Sequence, residues 1–316
     1  MEILANKKPE YFYSGFSWYL QGSNQGHMDF QSIALPTELR YRADAGANIE
    51  LFFTSPKLIL KINHCVSLQH QILRMKLVID IGNTLVKAAV FEQNTMMELE
   101  KFAKEELEKK LLNFFKNFPN IKDLVVSSVG NSDLLDNLPR QIKVHYLSND
   151  WKFPFSNHYS TPKTLGADRM VLASGAVLQF PKQNRLIIDA GTCITYDFVD
   201  SSDCYQGGGI SPGLGLRLKA LHNYTSKLPL VALDNPEDFV GNSTKESILS
   251  GVVQGVVHEI DGFILEYQNR FPNIITIFTG GDAVFLAKRL KNTIFANSNF
   301  LLESLNQTFQ YKITND

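Results

Sequence analysis

LVIDIGNTLVK, residues 77–87, and LIIDAGTCITYD, residues 186–197, run the same course: an apolar stretch, an aspartate, a glycine and a threonine, then a second apolar stretch. With Asp80 laid over Asp189 the copies stand 189 − 80 = 109 residues apart, and the apolar run, the Asp and the Gly keep their register. Each copy reads as a buried strand, a tight turn and a returning strand. A repeat of this length predicts two related half-domains that face each other across a ligand cleft.

The turns themselves are chemically legible. A carboxylate at the end of a buried strand is costly unless it meets a cation, a donor or water, so Asp80 and Asp189 are expected to point into a polar cleft. Gly82 and Gly191 let the backbone approach a ligand closely. The N–H groups and hydroxyls of Asn83, Thr84 and Thr192 can donate to phosphate oxygens. Carboxylates here would hold or orient Mg²⁺ at a nucleotide phosphate. A single Asp-Gly-x-Thr is equally an ordinary hairpin turn, whereas two in register favour the phosphate reading.

Around the repeat, strands alternate with helices, which predicts an α/β architecture. Residues 101–118 carry Leu107, Leu111, Phe114, Phe115 and Phe118 at helical spacing, and Pro119 ends the run. DLVVSSV at 123–129 and VHYLS at 144–148 read as strands, and a helix is expected over 168–179. After the second repeat come a glycine-rich loop GGGISPGLG, helices at 214–222 and 245–270, and ITIFTGGDAVFLAKRL as strand, Gly-Gly turn and helix. The half-domains are placed at 75–185 and 186–316. Residues 1–74 have no continuous period and one strand candidate, KLILKI at 57–62. They read as a non-native or poorly ordered extension, with the folded protein starting at Met75.

Bulk composition narrows the function. At 316 residues, 44% hydrophobic and 20% charged, the chain can bury real cores. A formal net charge of −1 provides no basic field for nucleic acid. Cys65, Cys193 and Cys204 form no CxxC pair, which argues against a zinc site or a disulfide frame. His258 and Glu259 start an HE pair, but Gly262 stands where a zinc-protease helix needs its second His. No apolar run was expected to approach a membrane span, and the N-terminus lacks signal-peptide order, so a cytoplasmic protein is expected. GGGISPGLG is neither a P-loop nor a GxGxxG turn. In TLGADRMVLASGA, residues 164–176, Asp168 is either a helix cap or a carboxylate that accepts a hydroxyl proton, beside an Arg169 that can bind an acidic substrate.

DIGNT at 80–84, GADR at 166–169, DAGT at 189–192 and GGDA at 280–283, in that order, resemble type III pantothenate kinase. That family belongs to the actin-like (ribonuclease H-like) superfamily of acetate and sugar kinases, which accounts for the duplicated half-domains. The resemblance implies phosphorylation of pantothenate by ATP, with Mg²⁺ and with K⁺ or NH₄⁺, by a cytoplasmic homodimer. Asp80, Ile81, Gly82, Asn83, Thr84, Leu85, Val86 and Lys87 match the first phosphate loop, and Thr192 the second. Asp189 matches the monovalent-cation position. Tyr159, Gly166, Ala167, Asp168, Arg169 and Thr244 match pantothenate contacts, with Asp168 the proton acceptor. Cys193 departs from the alanine common after DAGT. Two rivals remain open at this point: a kinase for another small hydroxylated or carboxylate substrate, and a nucleotide-binding accessory protein without kinase activity.

Overall fold

The computed structural model describes residues 12–13, 16–17, 75–82, 85–128 and 138–315, which fall in two compact units, Met1–Leu68 and Gln69–Asp316. In the first, a short antiparallel ladder pairs β1 (Phe12–Tyr13) with β2 (Phe16–Ser17). The strand expected at 57–62 and the order of residues 1–74 as a whole lie outside the described residues.

Two sheets organise the second unit. In the first sheet, β3 (Met75–Ile81), β4 (Val86–Glu92) and β5 (Thr95–Phe102) form an antiparallel meander. β6 (Ile121–Ser128) and β7 (Lys143–Tyr146) then add in parallel on the other side of β3, giving the order β5-β4-β3-β6-β7. The second sheet repeats this with β9 (Arg185–Ala190), β10 (Cys193–Val199), β11 (Cys204–Pro212), β12 (Ile275–Thr279) and β13 (Phe295–Ala296). Its order is β11-β10-β9-β12-β13, with the same senses of pairing. One addition breaks the symmetry: β8 (Ser156–Asn157) pairs in parallel with the outer edge of β11.

Alternation along each strand assigns its faces. Leu77, Ile79 and Ile81 pack with Leu107, Leu111 and Phe114 of α1 (Leu107–Asn117). Val78, on the opposite face, joins a middle layer built from α2 (Ala167–Gln179) and α6 (Phe300–Asn315). Ile187, Val199 and Ile277 of the second sheet close that layer from the other side. The outer face of the second sheet is covered by α3 (Leu214–Asn223), α4 (Thr244–Arg270) and α5 (Ala283–Ala287). α2 lies against β9 and β10, whereas α6 lies against β3, β4 and β6, so each half lends a helix to the other's sheet. The same strand order twice over, with a shared helical layer between, is the duplication expected from the repeat and the actin-like fold implied by the motifs.

Four local expectations are corrected. Residues 95–102 are a strand, because β4 has a second edge to satisfy and TMMELEKF alternates in exposure. The helix therefore begins only at Leu107, after a 3₁₀ turn at Lys104–Glu106. GGGISP is not a loop but the second half of β11. Gly208 is needed there because a Cβ would overlap the backbone carbonyl of Tyr196 on β10. The helix expected after the Gly-Gly turn shrinks to the five residues of α5, and α6 follows, unannounced by any motif. Finally, α4 is long and apolar enough to cross a membrane by length and composition. Leu249, Val253, Val256 and Ile260 are buried against the second sheet, as in a core helix.

Lys76 and Asp123 are buried neighbours in the β3–β6 ladder, and His145 Nε2 lies 2.8 Å from Asp123 Oδ1. Burial lowers the Lys76 pKa to about 8, against the opposing pull of Asp123. Folded Lys76 then holds fewer protons than unfolded Lys76 between about pH 8 and its ordinary 10.5, so stability rises with pH across that window. Urea midpoints measured over that range should climb in the parent protein and lose the Lys76-dependent part of the climb in Lys76→Met.

Candidate active site

The end of the middle layer is polar. Asp80 stands one residue before the end of β3, facing the same way as Val78, with Lys87 opposite on β4 and Ser127 opposite on β6. Asp189 holds the equivalent place on β9, opposite Thr195 on β10 and Thr279 on β12. Strand periodicity therefore puts both aspartates on the faces that look inward, as the cost of burying a carboxylate requires. The first turn of α2 carries a third acid within electrostatic reach of both. Gly166 is its N-cap, without a side-chain cap, and Asp168 Oδ1 accepts from the Arg169 N–H at 2.8 Å. The cap reading of Asp168 is thus replaced by a first-turn acid, half-buried at the positive end of the helix.

Electrostatics join these groups into one site. Burial raises Asp80 to about 6, with Lys87 and Ser127 pulling it down and Asp168 pushing it up. Asp189 rises to about 7, again chiefly by burial, with Lys87 opposing and Asp168, Asp80 and Asp197 adding to the rise. Two inward carboxylates sharing Lys87 as counter-charge, with Asp168 near both, make a site that favours further positive charge.

The two Asp-Gly turns are compact. In the first, the Gly82 N–H donates to Leu85 O at 3.2 Å; Asn83 and Thr84 lie outside the described residues. Ile81 and Val86 are buried strand ends, and Leu85 is 45% exposed. In the second, Gly191 N–H donates to Cys193 O at 2.9 Å, and exposed Thr192 accepts from Gly213 N–H at 3.0 Å through its carbonyl. The GGDA segment packs directly on this turn: Asp282 N–H donates to Ala190 O at 2.9 Å. Gly280 adopts φ 108°, and a Cβ there would overlap Ala190 O and Asp189 Oδ1.

On the other flank, Arg169 is buried and paired with Asp197, which is fully buried on β10. Arg169 Nε donates to Asp197 Oδ1 at 2.7 Å, and Tyr205 OH donates to the same oxygen at 2.6 Å. The half-buried Tyr159 ring lies 5.8 Å from the guanidinium carbon and edge-on to Tyr205. Ala167 completes the turn, partly buried. Thr244 belongs to a different groove. It is exposed at the first turn of α4 and lines a groove between α3 and α4, a cavity of about 870 Å³, with Arg217, Tyr224 and Ser247.

Sequence reasoning missed Asp197, Thr195 and Tyr205. An Asp between Tyr196 and Phe198 in a strand interior was itself a signal, by the same burial argument applied to Asp80 and Asp189. Tyr205 gave none. Among the described residues no three His, Cys, Asp or Glu side chains gather closely enough to hold a metal ion unaided. The donor set instead fits a cation carried in with a polyphosphate, which needs one or two carboxylates and takes its remaining oxygens from substrate and water.

Two Asp-Gly strand turns and a helix-borne acid at one end of the middle layer are an arrangement suited to phosphoryl transfer. Residues 76–266 match the sequence model of the family described as type III pantothenate kinase. Curated relatives carrying that description are similar over their whole length. The Flavobacterium johnsoniae protein is 62% identical over 244 residues, 77% of this chain and 100% of that one. The Flavobacterium psychrophilum protein is 54% identical over 75% of this chain and 100% of its own. The Bacteroides fragilis protein is 39% identical over 75% of this chain and 98% of its own. The chain belongs to the type III pantothenate kinase family.

Gly280→Ala should cost about 1–3 kcal/mol of stability through backbone strain and should displace the Asp189 turn. The expected kinetic result is a raised KM for ATP with the KM for the acceptor unchanged, checked by initial rates with each substrate varied in turn.

Proposed function

We propose that Asp168 and the two Asp-Gly turns carry out the family's reaction in this chain: transfer of the γ-phosphoryl group of ATP to the primary hydroxyl of pantothenate. The product is 4′-phosphopantothenate, on the route to coenzyme A. The observation that carries the assignment is electrostatic. Asp168 lies close enough to perturb both Asp80 and Asp189, while Lys87 opposes the shift of each. Proton acceptor, phosphate turns and counter-charge therefore share one space.

Each side chain has a role that follows from its position. The backbone donors of the turns at Asp80–Lys87 and Thr192 hold the polyphosphate in line with the acceptor, and Lys87 offsets its charge. Asp168, half-exposed at the helix start, receives the acceptor hydroxyl and takes its proton late, as a loose phosphoryl-transfer transition state demands. Tyr159, Gly166, Ala167 and Arg169 hold the rest of pantothenate. Asp80 and Asp189 supply carboxylates, the first towards Mg²⁺ on the nucleotide and the second towards K⁺ or NH₄⁺. When bound, these cations neutralise phosphate charge.

The enzyme acts as a cytoplasmic homodimer in this reading. Ile210, Tyr224, Leu230, Phe239 and Val240 are each more than half exposed, all in the stretch that leads into α4. So much exposed apolar surface beside the Thr244 groove suits a subunit interface. In this reading Thr244, whose groove includes neither Tyr159 nor Arg169, serves as a substrate contact across the dimer.

Asp168→Asn should lower kcat by roughly 10²- to 10⁴-fold in a protein that still folds; unchanged turnover removes the proton-acceptor role. ATP consumption should require pantothenate and be faster in potassium than in sodium buffer. A pantothenate-independent or cation-indifferent rate counts against the acceptor and the Asp189 assignments respectively.

A further inference from the structure

We propose that Ser127 is a positioning residue for nucleotide binding: its buried hydroxyl, on the strand opposite to Lys87, holds the Asp80 carboxylate away from that lysine and so keeps both charges free for the nucleotide and its cation. The inference rests on the reading of the Asp80 turn above.

The middle layer changes from apolar to polar in one step, and it does so in the same way in both halves. Val78 of β3 and Val125 of β6 are register partners in the apolar layer, and two residues further on the partners are Asp80 and Ser127. In the second half Ile187 of β9 and Ile277 of β12 are partners in that same layer, followed two residues on by Asp189 and Thr279. Strand alternation keeps each later pair on the face of the earlier one. The acid therefore stands beside a hydroxyl side chain of its parallel neighbour in each half, and Ser127 and Thr279 are both buried. Packing alone asks for no hydroxyl at either position, whereas a buried carboxylate needs a donor.

The antiparallel neighbours differ between the halves. Lys87 on β4 is opposite Asp80, whereas Thr195 on β10 is opposite Asp189 and gives its hydroxyl to Asp197 Oδ2 at 3.0 Å. Unrestrained, Asp80 would close an ion pair with Lys87 and withdraw a carboxylate and an ammonium group from the site together. Ser127 acts on Asp80 from the other side of β3. Burial raises the Asp80 pKa, Lys87 opposes the rise, and the Ser127 hydroxyl opposes it too through a hydrogen bond to the carboxylate. A neutral donor fixes the direction of a carboxylate without cancelling its charge. That is what a group needs if it is to meet a cation carried in with a polyphosphate.

The test measures binding of Mg²⁺–ADP to the full chain by calorimetry, without acceptor, beside initial rates with ATP and pantothenate varied in turn. In Ser127→Ala the Kd for Mg²⁺–ADP and the KM for ATP should rise about 10-fold, the worth of a hydrogen bond to a charged group, with the KM for pantothenate unchanged. Ser127→Cys, which keeps the volume and replaces a strong donor by a weak one, should follow Ser127→Ala. Ser127→Thr, with the side chain that the second half uses at this position, should restore both values. Unchanged nucleotide affinity in the Ala and Cys variants, an equal rise in KM for both substrates, or a Thr variant as impaired as the Ala variant overturns the inference. A parent that binds Mg²⁺–ADP but phosphorylates no pantothenate overturns the acceptor reading alone, and the binding comparison still decides the role of Ser127.

Discussion

The two helices of the middle layer can approach only because of what stands where they cross. A Cβ on Gly175 of α2 would run into the Ser304 side chain of α6, so the crossing admits nothing larger than glycine there. That closeness lets two sheets share one layer of helices, with α2 against β9 and β10 and α6 against β3, β4 and β6. Widen the crossing, and Asp80, Asp168 and Asp189 no longer address the same volume.

The site obeys the same economy of placement. Neither Asp-Gly turn stands alone. Their value comes from convergence, with the GGDA segment seated against the Asp189 turn and Lys87 facing both acids. Raised carboxyl pKa values are the electrostatic signature of an arrangement built to receive cationic charge. On the other flank the charges close on themselves, with Arg169 paired to the fully buried Asp197.

Much of this was legible in the sequence because repeats and strand-end acids obey simple rules. Period-2 burial and the register of LVIDIG over LIIDAG placed β3, β9 and their aspartates correctly, and helical spacing found α1 from Leu107 onward. The errors share a cause, which is tertiary pairing overriding local preference. TMMELEKF became a strand because β4 had an unpaired edge. GGGISP became one because close packing on Tyr196 favours glycine. Asp197 was overlooked because its partner lies 28 residues earlier, on another element. Thr244 could be named from a motif but not placed, since its groove is formed by α3 and α4 rather than by its sequence neighbours.

The exchange of helices also bears on how the chain acquires its structure. The inner face of the first sheet is covered by α6, whose Phe300, Leu305 and Phe309 sit beside Val78 and Phe91 in one cluster, and Asn306 Nδ2 donates to Gln93 O across 213 positions of sequence. On a ribosome, the first half emerges with that face bare, and it stays bare until the final helix is made. Contacts so distant in sequence slow folding and leave apolar strand surface open meanwhile. The first half is therefore completed late, and α6 acts as the latch on a domain begun more than two hundred residues earlier.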